Sequence, residues 1–233
     1  MRAVLCDMDG VIIWDNNLIE GSVEFIRMLR DKKIPYLFLT NYPSLTPIDL
    51  KHRLSRAGLD IEVDHFYTSA MATATFLEMQ ESGDKVYVIG EGALTHELYK
   101  RGFTISDQDV DYVVLGETRS YNFEKIEKAI SLIRHGARFI ATNPDVSGPS
   151  GFPSCGALVA PIEKVTKRKP FYVGKPNPFM MRAALRKLGS HSAHTVIIGD
   201  NMETDIIAGI ESGLKTILVL SGVHSRNDLK RYP

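Results

Sequence analysis

The sequence is poor in cysteine, in charge of one sign and in long apolar runs, and each shortage removes a class of protein. Two cysteines, Cys6 and Cys155, stand far apart with no metal-type spacing. That excludes a disulfide framework and a cysteine-bound metal, and both are expected to be reduced, buried thiols of a cytoplasmic protein. Lys plus Arg and Asp plus Glu balance at 28 each, so the formal net charge is zero. Such a chain has no electrostatic footprint for a nucleic-acid polymer or an anionic membrane surface. No apolar run approaches about 18 residues, so no membrane-spanning helix is expected. Asp7 and Asp9 interrupt the apolar stretch that a signal peptide would need at the N-terminus. There is no internal repeat and no low-complexity segment. What is present is 233 residues, 44% hydrophobic and 24% charged, enough to bury a sizeable core as one large domain or two small ones.

The stretch Val4-Leu5-Cys6-Asp7-Met8-Asp9-Gly10-Val11 organises the rest. The apolar run reads as a buried strand and Asp-Met-Asp-Gly as the sharp loop at its end. Alternation on an extended backbone sends Asp7 and Asp9 the same way. Unit charges about 4 Å apart repel by about 1 kcal/mol in water and about 4 kcal/mol at an effective dielectric near 20. Placing them together at a strand tip calls for a cation, a proton or both. The plain alternative is a pair of solvated loop aspartates.

Along the chain, an amphipathic helix is expected over 17–33, a strand over 34–39 ending in Thr40-Asn41-Tyr42-Pro43-Ser44, and a helix from Pro47 to about Ala57 stopped by Gly58. A short strand over 65–68 and a helix over 70–80 continue a β-α-β-α rhythm, the pattern of a parallel sheet with helices on its faces. The texture changes at Ser82-Gly83-Asp84. Strands are expected at 85–89, 112–115, 138–141 and 157–160, with helices at 94–101 and 123–135 between them. The breaker-rich loop 143–151 is either a surface excursion or ligand-facing. The first texture resumes with Phe171-Tyr172-Val173. Asn177 and Pro178 open a helix through about Leu188. Thr195 to Ile198 is a buried strand, 206–212 a helix stopped by Gly213, and 216–220 a last strand. The expected architecture is therefore α/β: a Rossmann-like parallel-sheet core from residues 1–81 and 171–233, interrupted by an inserted α/β cap from 82–170.

Four polar clusters follow strand-like segments: Asp7/Asp9, Thr40/Asn41, Lys175 and Asp200/Asp205. Ligands of open parallel sheets bind at the carboxyl ends of the strands. Converged, the four would offer carboxylates for a divalent cation, a carboxylate free to attack, a hydroxyl and amide for oxyanions, and an ammonium. That equipment suits phosphoryl transfer, whose difficulty is spread-out negative charge. The motifs Asp7-Met8-Asp9-Gly10, Thr40-Asn41, Gly174-Lys175-Pro176 and Gly199-Asp200 through Asp205, in this order, resemble the haloacid dehalogenase superfamily of phosphatases. The segments 40–44, 67–73, 116–121 and 169–176 are similar to its NagD branch of ribonucleotide monophosphatases. The likeness covers essentially the whole chain. Chains of that branch continue past the position of Pro233 with a further short segment expected to complete an edge of the core.

The resemblance implies a Mg²⁺-dependent phosphomonoester hydrolase whose substrates are small-molecule phosphate monoesters, with 5′-ribonucleoside monophosphates such as UMP expected. It implies Asp7 as nucleophile, Asp9 as general acid and base, and Mg²⁺ held by Asp7, the carbonyl of Asp9 and Asp200. Thr40, Asn41 and Lys175 would bind phosphate, Asp205 would hold Lys175 or a metal-bound water, and Asn201, Met202, Glu203 and Thr204 would contact the phosphate or the metal's waters. The cap loops at Asn143-Pro144-Asp145 and Ser154-Cys155-Gly156 are either structural or turned to the leaving group. Each residue has a plainer role beside the implied one: a turn or helix cap for Thr40 and Asn41, a solvated lysine for Lys175, a first-turn acid for Asp205. Other substrates (phosphoglycolate, pyridoxal phosphate, a sugar phosphate) and a non-catalytic metabolite sensor are the alternatives. Tyr42 argues against the first two, whose hydrolases resemble Thr-Asn-Asn there. The intact Asp7/Asp9 pair argues against the sensor. Gly90-Glu91-Gly92 lacks the third glycine of a dinucleotide fingerprint and reads as a structural turn. The histidines, His191 and His194 included, have no metal-site partners in the sequence.

Overall fold

The computed structural model describes residues 3–80, 83–148 and 151–232. The expected boundary at 81/82, and Pro149 and Ser150 of the breaker-rich loop, lie outside them. In chain order the elements are β1 (Ala3–Asp7), β2 (Ile13–Trp14), β3 (Asn17–Leu18), α1 (Ser22–Asp31), β4 (Tyr36–Thr40), α2 (Pro47–Arg56), β5 (Phe66–Thr68), α3 (Ser69–Glu78), β6 (Lys85–Ile89) and α4 (Gly92–Lys100). Then come β7 (Thr104–Ile105), β8 (Tyr112–Leu115), α5 (Phe123–Arg134), β9 (Arg138–Ala141), α6 (Cys155–Thr166), β10 (Phe171–Tyr172), α7 (Pro178–Leu188), β11 (Thr195–Gly199), α8 (Ile207–Glu211) and β12 (Lys215–Leu218). They form two units, one of Met1–Thr40, Pro47–Tyr67 and Lys175–Pro233, the other of Asn41–Thr46 and Thr68–Gly174.

The first unit is built on a five-stranded sheet of order β12-β11-β1-β4-β5. β1 lies at its centre, parallel to β11 on one side and β4 on the other. Val4, Leu5 and Cys6 are fully buried, as a strand covered on both faces requires, and so the sequence runs apolar there without alternation. Register fixes the site. Asp7 pairs with Leu39, which places Thr40 beside the tip of β1, and Gly199 ends β11 just before Asp200. The segment expected as the start of the first helix instead folds back as the β2–β3 hairpin, and α1 begins only at Ser22, after Gly21 takes a left-handed turn.

The second unit carries its own five-stranded parallel sheet, β10-β9-β8-β6-β7. Three sequence expectations are corrected here. Residues 157–160 are not a strand but part of α6; Cys155, Val159 and Ile162 are its buried positions, spaced four and three apart as on one helical face. A four-residue apolar run has no period of its own, and the strand reading overlooked Ser154 at the helix start. Phe171 and Tyr172, expected to return the chain to the core, instead pair with Ile140 and Ala141 as the last strand of the second sheet. The helix α3, expected in the core, belongs to this unit and packs on α4. Its buried Ala, Ser and Thr residues face several directions, so its pattern does not tell which sheet it serves. The edge strand β7 is too short to have left a pattern.

Candidate active site

The polar residues of the first unit gather at the carboxyl ends of β1, β4 and β11. Lys175 is the centre of the arrangement. It is 2% exposed, and its Nζ lies 2.8 Å from Asp7 Oδ1 and 2.7 Å from Asp205 Oδ1. It also donates to the Leu39 carbonyl at 3.4 Å. Asp205 is fully buried, in a single π-helical turn, Met202–Ile206, that opens the way into α8. Its Oδ2 accepts from the Asn201 N–H at 3.2 Å, so both oxygens are engaged. Asp7 retains 14% exposure, the open member of the pair.

Asp200 completes the cluster. Its Oδ2 accepts from the Val223 N–H at 2.7 Å. Two glycines make room for it: a Cβ at Gly10, whose φ is +79°, would stand 2.2 Å from Asp200 Oδ2, and one at Gly222 1.9 Å from the same atom. Asp7, Asp200 and Asp205 each present an oxygen within 4.8 Å of the others. One ammonium stands among three carboxyl groups. Burial pushes the Asp7 carboxyl well above the usual range, with Asp205 and Asp200 adding to the rise and Lys175 opposing it. Asp200 is raised too, chiefly by burial and against its bond from Val223. Burial disfavours the Lys175 ammonium, but Asp205 and Asp7 outweigh that and hold it charged well above the ordinary lysine range. An all-oxygen, carboxyl-rich, partly open cradle of Asp7, Asp200 and Asp205 fits the donor set of a hard divalent cation.

Asp9 Oδ1 meets Arg53 Nη2 of α2 at 2.8 Å. The Asp9 ligand expected at a metal is its carbonyl, not its side chain. Thr40 is buried at the end of β4. Asn201, Met202 and Glu203 have identifiable structural engagements: the Asn201 side chain accepts from the Glu203 N–H at 2.8 Å, the Met202 N–H donates to His224 Nδ1 at 3.3 Å, and Glu203 Oε1 accepts from the Tyr232 hydroxyl at 3.1 Å. Thr204 is buried in the same turn.

Asn41 falls in the second unit. Its Nδ2 donates to Asp145 Oδ2 at 2.8 Å, and Asn143 Nδ2 donates to the same oxygen at 2.6 Å. Ser154 Oγ donates to Glu117 Oε2 at 2.7 Å. The loop residues singled out in sequence are thus tied into this unit's own network. Glu91 accepts from the Thr118 hydroxyl and the Arg119 N–H at the start of α4, a structural turn as expected. His191 and His194 are exposed. Arg53, Gly222 and Val223 escaped the sequence reading. Nothing in the helix 47–56 distinguishes Arg53 from its solvated neighbours, and Gly222 followed a strand as an ordinary turn residue would.

A family model described as haloacid dehalogenase-like hydrolase matches residues 4–104, and one described as HAD-hydrolase-like matches residues 172–233. The chain is 56% identical over 233 residues to ribonucleotide monophosphatase NagD of Escherichia coli K12, covering 100% of this chain and 93% of that protein. The solved structure of that NagD superposes with a TM-score of 0.97. A dihydroxyacetone phosphatase of Corynebacterium glutamicum is 48% identical over 98% of this chain and 84% of its own length. A glycerol phosphate phosphatase of Mycobacterium tuberculosis, solved in complex with magnesium, is 28% identical with a TM-score of 0.91 over 97% of this chain and 70% of that one. With its motifs in order and its α/β fold matched from end to end, the chain belongs to the haloacid dehalogenase-like hydrolase family, in the NagD branch.

Proposed function

We propose that the protein is a Mg²⁺-dependent phosphomonoesterase that hydrolyses 5′-ribonucleoside monophosphates such as UMP through an aspartyl-phosphate on Asp7. The observation that carries the reading is the buried Asp7–Lys175–Asp205 chain beside Asp200. It leaves one carboxylate open at a strand tip, with an ammonium fixed against it. In this reading Asp7, Asp200 and the carbonyl of Asp9 would hold Mg²⁺, which would supply positive charge against the phosphate oxygens and screen the clustered carboxylates.

The chain's own residues divide the reaction into two displacements. Lys175 and Thr40 bind phosphate oxygens, Lys175 meeting the negative charge that spreads in the transition state. A carboxylate oxygen of Asp7 attacks phosphorus as the ester P–O bond breaks. The leaving oxygen keeps that bond's electron pair and takes a proton from Asp9. Asp9, now a carboxylate, removes a proton from water whose oxygen attacks phosphorus, and the bond to Asp7 breaks to release phosphate. Asp205 keeps Lys175 in place. Asn201, Met202, Glu203 and Thr204 line the approach to the phosphate. The same proposal makes the first unit the catalytic core and the second a cap, in a cytoplasmic enzyme acting on small molecules.

The substrate assignment draws on the NagD relative, 56% identical. The relative named dihydroxyacetone phosphatase, 48% identical, favours small sugar phosphates as a second reading. Phosphate release from UMP, CMP, AMP, dihydroxyacetone phosphate and other sugar phosphates, with Mg²⁺ and with chelator, tests both. Mg²⁺-dependent release favouring nucleotides is expected. Preference for a triose or sugar phosphate would keep the mechanism and change the substrate. Release from none would end the proposal.

A further inference from the structure

We propose that Arg53 is the positioning residue of Asp9, fixing the general acid for leaving groups that need a proton. The inference rests on the phosphomonoesterase reading above and assigns a residue that reading does not use. Arg53 stands in the last turn of α2. Its Nη2 meets Asp9 Oδ1 at 2.8 Å and the Asp15 carbonyl at 2.6 Å. Asp15 lies between β2 and β3, with a left-handed φ of 53°. One guanidinium nitrogen therefore fastens the acid to the tip of the hairpin that follows it.

The segment between these two points is already tied to its own start. The N–H groups of Ile12 and Ile13 donate to the Met8 carbonyl at 2.9 and 3.1 Å, and the Gly10 N–H donates to the Ile13 carbonyl at 2.9 Å. The backbone of Asp9 is thus set by the loop, and what remains free is its side chain. At 28% exposure that carboxylate would otherwise sample several rotamers. Arg53 engages Oδ1 and leaves Oδ2 to carry the proton. As a stabilising contact the pair counts for little, since both partners are partly exposed. Its worth lies in orientation, because a misplaced acid loses a large share of its contribution to rate.

This predicts a dependence on the leaving group. In the first displacement the departing oxygen takes the bonding electron pair together with the proton from Asp9 Oδ2. A p-nitrophenolate departs without that proton, whereas a phenolate or an alkoxide needs it. The value of kcat/KM reports this displacement, so the second one, in which every substrate uses Asp9 alike, does not obscure the comparison.

The test is kcat/KM for a series from p-nitrophenyl phosphate to phenyl phosphate, with Mg²⁺, for wild type, Arg53→Ala, Arg53→Lys, Asp9→Asn and the Arg53→Ala/Asp9→Asn double variant. Arg53→Ala is expected to lower the phenyl phosphate value by about ten- to a hundredfold, a fraction of what a general acid contributes, and to leave p-nitrophenyl phosphate nearly unchanged. Arg53→Lys recovers part of the loss, and the double variant falls no further than Asp9→Asn alone. An equal loss across the series, no loss, or multiplying effects in the double variant would overturn the proposal. If Arg53→Ala does not fold, Arg53→Gln is judged by the same ratio. A wild type inactive on every substrate sinks the phosphomonoesterase reading itself, whereas an active wild type with an unchanged series in Arg53→Ala sinks only this proposal.

Discussion

Replacing Lys175 by methionine keeps the length of the side chain and removes an ammonium held between two carboxylates. At 2.7–2.8 Å and an effective dielectric near 20, each attraction is about 6 kcal/mol. Most of that is offset in the wild type by the cost of taking the ammonium out of water. The variant escapes that cost but leaves Asp205 fully buried, and Asp7 nearly so, beside each other without a counter-charge. Breaking a buried pair in this way typically costs about 3–5 kcal/mol. The pH dependence has a definite sign. The Asp7 carboxyl is already raised by burial, with Lys175 opposing the rise, so removing Lys175 raises it further. A carboxyl raised in the folded state lends stability while protonated and loses it as pH rises through the folded value. The deficit of the variant is therefore largest at neutral pH and shrinks on acidification. Urea denaturation of both proteins in chelator, at pH 7.5 and again at mildly acidic pH, measures it. A deficit below about 1 kcal/mol, the range of an exposed pair, or one that grows with acid, would refute the reasoning.

Two further changes probe the surroundings. Gly222→Ala puts a methyl group where the Asp200 carboxylate lies, so Asp200 must swing away. A loss of about 1–3 kcal/mol in denaturation, the usual cost of overpacking, is expected along with a drop in phosphate release, and full activity would contradict the cradle. Cys6 and Cys155 are buried, and burial pushes the Cys155 thiol up to about 11 and raises Cys6 as well. Both are expected to resist a thiol reagent at pH 8 in the folded protein and to react in denaturant; rapid labelling of the native protein would show that one of them is accessible.

The parts of the fold legible in sequence are those where one local signal sufficed. β1 and β11 read as strands because burial on both faces makes them continuously apolar, and α7 read as a helix because Asn177 caps it, accepting from the Phe179 N–H at 2.9 Å, with Pro178 in its first turn. Asp7 and Asp200 were legible because they stand at the ends of β1 and β11, and parallel topology brings those ends together. What was not legible depends on pairing at a distance. Phe171 and Tyr172 look like any short strand until β9 claims them. Residues 157–160 are as apolar as a strand, and only the positions of Cys155 and Ile162 around them reveal the helix. Arg53 reaches Asp9 across 44 residues of sequence, and neither residue's neighbours announce the other.

The claim on which the account turns is that Asp7 receives the phosphoryl group. Phosphate release from UMP by the wild type and by Asp7→Asn, each with Mg²⁺ and with chelator, tests it most directly. The account predicts release by the wild type with Mg²⁺, loss of it in chelator, and no turnover by Asp7→Asn although the variant remains folded. Sustained release by folded Asp7→Asn would contradict it.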